Sequence, residues 1–583
     1  MYNPKILFFT IPLRGIPDSF PPYGIMSIMQ YLRKIGYNNI KLINQDFLRL
    51  DLEQILEMTK KYDPDIIGIS GVVSTGYDYI KNLSLKLKQI KIKVPIVLGG
   101  PLGASANIIL ENTGIDIVCI SEGEHVMQDL LSVKFKKDKL KSVKGIVYKE
   151  KNNKIINTGY ATSVDPSLIY DVDYEDLNQN NGELDHYMPA FELGSKKNRS
   201  IAIPGSKGCV AKCTFCHRWD KGIRYIPVKL IMNRLDFLIQ NYNIGYFQFA
   251  DENFGTDRTW LKEFCENITK RKIKWTVGGM RVNCIDEERA SMMKKAGCES
   301  AIFGMETGSD KMLKVMNKGV KLKDNYNALK IIHENEMHTT IQLVIGMPGE
   351  NWDTINETSE FLKYQVSLSE NISPFNFSIN YAQALPGTPL YEYARQKAII
   401  TDEEDYLKWV SNKNASDDIY HMHNLSGYPK IIVLSWRPYL IATTLDHYIK
   451  MYGREKYNKF LLDSVFSDEI GSGYFNEPLE QQIKTRKIIF NISPLKLLKK
   501  QLYLFPFIFL QSRFFIYFYA LERIIAFGGF KNGLVAISEL FNFIFKNKKY
   551  KFKYESLRKT VFEQSDHFEK EPNYMVPLRK GRW

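Results

Sequence analysis

Short apolar runs alternate with amphipathic stretches through the first 400 residues of this chain, and the alternation predicts strands separated by helices. Lys5 to Ile11 is apolar enough to form a buried strand. Pro21-Pro22-Tyr23-Gly24 then opens a stretch in which Ile25, Ile28, Met29, Leu32 and Ile35 share one helical face, and Gly36 stops it. Further apolar runs over 40–43, 65–70, 95–101 and 115–120 predict four more strands. This order implies βα units, a parallel sheet and right-handed crossovers. Ligands of such sheets bind beyond the carboxyl ends of the strands. Those ends hold Ser70, Ser74 and Thr75, then Gly99 and Gly100, then Glu122, Gly123 and Glu124.

Residues 151–195 are rich in Asn, Asp and Tyr with little periodicity and are predicted as a connector. Alternation resumes over 196–400. Predicted strands over 246–250, 274–277, 300–303 and 340–345 end at Asp251-Glu252-Asn253, near Arg281, at Gly304-Met305-Glu306 and at Gly346-Met347-Pro348. A last strand is predicted over 375–384, and helices over 227–242, 287–296 and 323–335 separate the others. The pattern suits a partial (β/α) barrel with its chemistry at the carboxyl ends. A carboxylate at such an end can also simply cap the next helix, and Arg281 can be an ordinary ion pair. Residues 401–583 are predicted largely helical and rich in Phe and Tyr. The apolar run 502–510 is broken by Pro506, and Arg513, Glu522 and Arg523 interrupt the next apolar stretch, so no uncharged run reaches the roughly 18 residues of a spanning helix.

The most specific chemistry lies at Gly208-Cys209-Val210-Ala211-Lys212-Cys213-Thr214-Phe215-Cys216. Three cysteines in a C-x3-C-x2-C spacing follow the apolar run 200–203 on a glycine-flanked loop. Soft thiolates so close select an iron–sulfur cluster or zinc. A zinc site would need His217 as fourth ligand, and adjacent residues rarely reach one tetrahedral ion together. Cys265, Cys284 and Cys298 fall in helix or strand contexts, where free cysteine packs as a small hydrophobe.

Length and charge refine this picture. At 583 residues the chain needs two to four domains. Seven scattered cysteines make no disulfide framework, and the N-terminus lacks a signal-peptide pattern, so a reducing, cytoplasmic setting is expected. The net charge of +14 is uneven: residues 484–583 hold 20 Lys and Arg against 7 Asp and Glu, the remainder 59 against 58. Such a tail suits an anionic membrane surface, a nucleic acid or an acidic partner. Its aromatics beside Lys546, Lys548, Lys549, Lys551 and Lys553 are expected either to lie at a membrane interface or to cap the barrel mouth, with the cap favoured. No P-loop, nucleic-acid motif or G-x-G-x-x-G after the first strand occurs.

With Phe215 before its last cysteine, the cysteine motif resembles the radical SAM superfamily, and the likeness covers 196–400. The Pro-Pro-x-Gly helix start, the Gly-Gly-Pro turn and the Gly-Glu turn are together similar to the cobalamin-binding domain of the B12-dependent subfamily. No D-x-H-x-x-G motif is present; relatives of this kind can hold cobalamin without a histidine below the metal, and the alternative is a cobalamin-like fold that no longer binds the cofactor. The resemblance implies an α/β architecture: a Rossmann-like cobalamin-binding domain over 1–150, a connector over 151–195, a partial TIM-type barrel over 196–400 and a mainly helical region over 401–583. It implies a [4Fe-4S] cluster on Cys209, Cys213 and Cys216, with one iron open to S-adenosylmethionine (SAM). Asp251, Glu252 and Asn253 would lie near the methionyl amine, Glu306 after Gly304 near the ribose or amine, and Arg281 near the carboxylate. The backbones of Phe215 and of Gly346 to Pro348 would approach the adenine. Cobalamin would lie over Ser70, Ser74, Thr75, Gly99, Gly100, Glu122, Gly123 and Glu124. The implied activity is cleavage of SAM to a 5′-deoxyadenosyl radical and methylation of an unactivated carbon. The substrate would be a small molecule or lipid-linked, and a reductase, flavodoxin or ferredoxin would be the donor. The alternatives are ring formation, rearrangement or carbon–carbon coupling, or a non-enzymatic cluster protein that binds membrane or nucleic acid through its tail.

Overall fold

A computed structural model describes residues 3–13, 16–72, 74–90, 93–150, 152–193, 196–217, 222–411, 423–467, 512–545 and 552–563. The first sheet comprises β1 (Ile6–Phe9), β2 (Ile40–Ile43), β3 (Ile66–Ser70), β4 (Ile96–Gly99), β5 (Ile117–Cys119), β6 (Ile146–Lys149) and β7 (Ile155–Asn157). Its order is β2-β1-β3-β4-β5-β6-β7. The first five strands are parallel, and β6 and β7 are antiparallel additions at one edge. All four residues of β1 are buried, as a strand covered by helices on both faces requires. The order 2-1-3-4-5 places a topological switch point between β1 and β3, where such sheets open a crevice. β7 lies inside the stretch expected to be an irregular connector.

The second sheet comprises β8 (Ala190–Leu193), β9 (Lys196–Ile203), β12 (Ile244–Phe249), β13 (Lys274–Met280), β14 (Cys298–Glu306), β15 (Ile341–Ile345) and β16 (Phe377–Tyr381). A separate antiparallel hairpin, β10 (Ser206–Cys209) and β11 (Gly222–Tyr225), follows β9. The sheet order is β16-β15-β14-β13-β12-β9-β8, parallel throughout except β8, and it curves into a half-barrel. Trp275, Phe247, Phe249, Phe254 and Phe264 are fully buried under its middle strands. Burying each such ring contributes about 1.5–3 kcal/mol. Phe254 also donates its backbone N–H to the Gly279 carbonyl at 2.9 Å, which fixes the turn after β12.

Side chains lock the two sheets together. The Tyr23 hydroxyl donates to the Ala202 carbonyl at 2.6 Å, and Arg33 makes a bidentate pair with Asp176 at 2.7 and 2.8 Å. Tyr77 and Lys81 both donate to Glu404, at 3.0 and 2.6 Å.

The two long described helices of the tail lie on the flank of the barrel, and most of the stretch expected to cap its mouth or meet a membrane falls outside the described residues. The helix Lys430–Tyr452 is buried over most of its circumference, including Ile431, Val433, Trp436, Leu440 and Leu445, so it needs partners on two sides. It packs on the outer helix Trp352–Ser367 and is covered by the helix Arg513–Phe545. Among the described residues, the tail helix Glu403–Val410 packs at the carboxyl-end side, where the Tyr406 hydroxyl donates to the Ala384 carbonyl at 2.6 Å, and the segment 552–563 reaches it too, where Phe552 rests on Gly349 and the Tyr554 hydroxyl donates to the Gly349 carbonyl at 3.0 Å. The apolar run 502–510 and Lys546, Lys548, Lys549 and Lys551 lie outside the described residues. No described helix is long and apolar enough to cross a membrane.

Candidate active site between two sheets

The carboxyl ends of both sheets face one cleft of about 540 Å3. Thr10 and Ile11 beyond β1, Asn44 and Asp46 beyond β2, and Ser70 at the end of β3 with Val72 beyond it form one wall. This is the switch point of the first sheet. Pro204, Gln248, Ala250, Asp251 and Gly278, at the ends of β9, β12 and β13, form the other wall. Pro21 to Gly24 roof it, and Gly24 presents bare backbone there, since an added Cβ would meet nothing within 4 Å.

The cysteine hairpin springs from the edge of this cleft. β10 and β11 pair from Ser206 with Tyr225 to Cys209 with Gly222, so the described loop residues 210–217 leave a fixed stem. Thr214 pins the loop on both sides. Its N–H donates to the Met316 carbonyl at 2.8 Å, its hydroxyl to Val315 at 3.1 Å, and its own carbonyl accepts from Leu390 at 2.9 Å. Cys209 and Cys213 are half-buried and Cys216 is exposed. Cys216 opens to water from a bowl of protein. Burial and the charges of Cys213, Glu252, Glu306 and Cys209 push its thiol up to about 12. Cys119, Cys265, Cys284 and Cys298 are all buried. Among the described residues, no three His, Cys, Asp or Glu side chains close on a single ion. A cubane asks less of them, because each thiolate takes a different iron. The donor set of three loop thiols fits a cluster with one iron left for an outside ligand.

The residues expected around SAM divide. Asp251 is buried and accepts from the Gly205 N–H at 2.9 Å and from the Ser206 hydroxyl, so it holds the root of the hairpin. Burial raises its carboxyl to about 7 despite those bonds. Glu252 is exposed and within electrostatic reach of Cys216. Asn253 is fully buried, and neither atom of its amide has a hydrogen-bond partner among the described residues; the same holds for Gln248 Oε1 on the cleft wall. Unpaired buried groups cost about 1–3 kcal/mol each and point to bonds that a ligand completes.

Arg281, Lys318 and Glu306 form a buried charged group behind Cys213. Lys318 Nζ pairs with Glu306 Oε1 at 2.7 Å, with both side chains about nine-tenths buried. Burial pulls the ammonium down, but Glu306 and Cys213 outweigh it and the net shift is upward. Arg281 donates to the Lys318 carbonyl and stands 3.9 Å from Cys213 Sγ. A Cβ on Gly304 would come within 2.5 Å of Glu306 Oε1 and 3.0 Å of Lys318 Nζ, so glycine leaves the pair its room. Gly346, with φ of 84°, and Met347 donate their N–H groups to Glu350, whose carboxyl burial raises to about 8. Phe215 packs against the cluster of Met312, Met316 and Met347, beside that turn.

The expected cobalamin residues divide too. Ser70, Ser74, Thr75, Gly99 and Gly100 stand at the ends of β3 and β4. There the Gly71 N–H donates to the Gly99 carbonyl at 2.7 Å. Gly100 has φ of 92°, and a Cβ on it would lie 2.9 Å from the Gly71 carbonyl oxygen; one on Gly99 would meet nothing within 4 Å. This bare backbone shelf, next to the largely apolar cleft, fits a broad macrocycle. Glu122 has other work. It pairs with Arg224 and Lys207 of the cysteine hairpin, at 2.7 and 2.8 Å, and accepts from the Val164 N–H. Glu124 accepts from Ser27 at 2.7 Å, and Gly123 makes room for Ile28. Thr10, Tyr23, Asn44, Gln248, Lys207, Arg224 and Lys318 escaped the sequence reading. For Thr10 and Asn44 the signal was there, as the residues after the first two strands.

The Glu122 bridge makes a pH prediction. Burial alone would raise its carboxyl, but Arg224 and Lys207 outweigh this and hold it at about 2. Its folded pKa is depressed, so its stabilisation is present above the unfolded value near 4.5 and is lost as pH falls through about 2. The difference corresponds to roughly 3 kcal/mol at most. Glu122→Gln is expected to lower the thermal midpoint at neutral pH and to flatten its fall between pH 4.5 and 2, as thermal scans against pH will show.

Comparison with known proteins matches both halves of this site. The family model described as Radical SAM superfamily matches residues 203–362, and the one described as B12 binding domain matches residues 12–131. An uncharacterized methyltransferase, PH0819, of Pyrococcus horikoshii is 28% identical over 394 residues, covering 65% of this chain and 80% of that protein. The anaerobic magnesium-protoporphyrin IX monomethyl ester cyclase of Rubrivivax gelatinosus is 25% identical, covering 67% and 69%. The cytidylyl-2-hydroxyethylphosphonate methyltransferase of Streptomyces wedmorensis is 24% identical, covering 70% and 83%. Among solved structures, the cobalamin-dependent S-adenosylmethionine radical enzyme OxsB, with aqua-cobalamin and S-adenosylmethionine bound, aligns at TM-score 0.61 and 18% identity over 96% of this chain and 83% of its own. The radical S-adenosylmethionine methyltransferase TsrM of Kitasatospora setae aligns at 0.54 and 17%, over 68% and 76%. At these identities the structures show a shared fold.

Proposed function

Because this chain is a cobalamin-dependent radical SAM enzyme, with a B12-binding domain and a radical SAM domain, we propose that it methylates an unactivated carbon of a small-molecule or lipid-linked substrate. The observation that carries this reading is the single cleft onto which both sheets open, with the cysteine hairpin rooted at its edge. When bound, the cluster supplies one electron to SAM and the corrinoid supplies the methyl group. The protein's part is to hold them and exclude water.

In this reading Cys209, Cys213 and Cys216 hold the cluster. Glu252, exposed beside Cys216, takes the SAM amine, and the unpaired amide of Asn253 completes its bonds on the same ligand. Arg281 neutralises charge at Cys213 and stays within reach of the SAM carboxylate, where its guanidinium offers a fork. Glu306 and Lys318 line the ribose side, and the backbones at Phe215 and Gly346 to Pro348 face the adenine. Ser70, Ser74, Thr75, Gly99 and Gly100 hold the corrinoid edge, with Glu122, Gly123 and Glu124 fixing the domain that carries it. The electron comes from a reductase or an acidic carrier of flavodoxin or ferredoxin type, and the enzyme works in the cytoplasm. Methyltransferases among the relatives support the reading.

Counting the products made from SAM tests it. With substrate present, methyl transfer yields S-adenosylhomocysteine together with 5′-deoxyadenosine. Ring formation, rearrangement or coupling yields 5′-deoxyadenosine without S-adenosylhomocysteine, and that outcome would replace methylation by one of those reactions. The cyclases among the relatives make it the second reading.

A further inference from the structure

A separate, open cleft of about 870 Å3 lies between residues 310–324 and the segment 552–563. Lys314, Lys321, Lys323 and Lys559 line it, and all four are exposed. None of the four makes an ion pair among the described residues. The carboxylates of the cleft all serve the protein itself. Asp310 accepts from the Leu322 N–H at 2.7 Å, Asp324 from the Lys321 N–H at 2.8 Å, and Glu555 pairs with Lys553 at 2.9 Å. The cleft therefore offers ammonium groups without partners and acids that are already engaged.

Its position gives the charge a meaning. The stretch that walls the cleft also holds the cysteine loop: the Val315 and Met316 carbonyls accept from Thr214. Asn317 lines the cleft and donates its amide to the Lys212 carbonyl at 2.9 Å, and Lys212 is a fifth exposed lysine. Gly319 lines it too; a Cβ there would lie 3.6 Å from Arg281, which stands 3.9 Å from Cys213 Sγ. A single layer of residues thus separates the cleft from Cys213. A donor seated here comes close to the cysteine loop without entering the cleft between the two sheets. Electron-carrier interfaces are small and weak, and opposite charge steers them. A second copy of this chain would bring the same lysines against the cleft, whereas a carrier with an acidic face is complementary.

We propose that this lysine-lined cleft docks a small acidic one-electron carrier protein of the flavodoxin or ferredoxin class. The carrier loses one electron and the cluster on Cys209, Cys213 and Cys216 gains it, so the proposal rests on the cluster assignment above. The test follows binding of a dye-labelled bacterial flavodoxin, and separately of a [2Fe-2S] ferredoxin, to the reconstituted full chain by fluorescence anisotropy. The wild type is expected to bind at least one of them, more weakly as salt rises, and the one that binds identifies the class. The variant Lys314→Gln, Lys321→Gln, Lys323→Gln, Lys559→Gln is expected to bind about tenfold more weakly. Lys136, Lys137, Lys139 and Lys144 are exposed on the first domain, and replacing all four by Gln removes the same charge. That control is expected to stay within about twofold of wild type. SAM cleavage driven by dithionite is expected to be unchanged in the cleft variant, while cleavage driven by limiting reduced carrier falls with the binding. No binding of either carrier, undiminished binding by the cleft variant, or an equal loss in the control overturns the docking site. A wild type that cleaves no SAM even with dithionite overturns instead the cluster reading beneath it.

Discussion

Cys213→Ser is expected to lower iron from about four per chain, the content of one cubane, to less than one, and to bring 5′-deoxyadenosine formation to background. Serine offers a hard, largely protonated oxygen where the cluster requires a soft thiolate. The fold is expected to survive. The neighbouring Thr214 carries the contacts that pin the loop, to Met316, Val315 and Leu390, and none uses the Cys213 sulfur. Cobalamin retention is expected to persist as well, because its shelf lies at the ends of β3 and β4 in the other sheet. Losing cleavage while keeping cobalamin separates a cluster defect from global damage. Cys298→Ser is the control: its sulfur is buried in the core, so any cost falls on stability and iron stays at wild-type content. A Cys213→Ser protein that keeps its iron and cleaves SAM would remove the cysteine loop from the mechanism.

The second large effect is on stability. Lys318→Met removes the ammonium that pairs with Glu306 at 2.7 Å and leaves a carboxylate only 8% exposed. Breaking one partner of a buried pair costs about 3–5 kcal/mol, more than the pair itself contributes, because the remaining charge is stranded. Glu306 cannot easily turn away. It sits at the end of β14 with φ of 65°, a left-handed conformation that the surrounding strand imposes. Adding Glu306→Gln removes the stranded charge, so the double variant is expected to recover most of the loss. Urea unfolding of the apoprotein checks both. A single variant within about 1 kcal/mol of wild type, or a double variant no better than the single, contradicts the assignment of this pair as buried and coupled.

The parallel core was legible because its strands are short apolar runs closed by glycine or polar turns. Ile66–Ser70 and Ile341–Ile345 fall within a residue of where periodicity places them. β7 and β8 were not legible: Ile155–Asn157 and Ala190–Leu193 are short edge strands whose pairing depends on β6 and β9, and local pattern carries little of that. The cysteines were legible because their spacing is itself the chemistry. The charged neighbours were harder. Glu122 follows a strand as a ligand residue would, but two cations of a hairpin about 100 residues later capture it. Lys318 shows no motif, and only the fold brings it beside Glu306. The tail's helices were anticipated, but not their place on the flank, since an all-round apolar helix such as Lys430–Tyr452 does not reveal in sequence which neighbour it seeks.

The central claim is that one chain holds both cofactors and uses them on SAM. The most direct measurement is 5′-deoxyadenosine formed by protein reconstituted without oxygen, loaded with hydroxocobalamin, washed, and given SAM and reductant, with the cobalamin spectrum recorded on the same sample. The account predicts a retained corrinoid spectrum and SAM cleavage that requires Cys209, Cys213 and Cys216. A washed protein without the corrinoid spectrum, or one that carries zinc and leaves SAM intact, would contradict it.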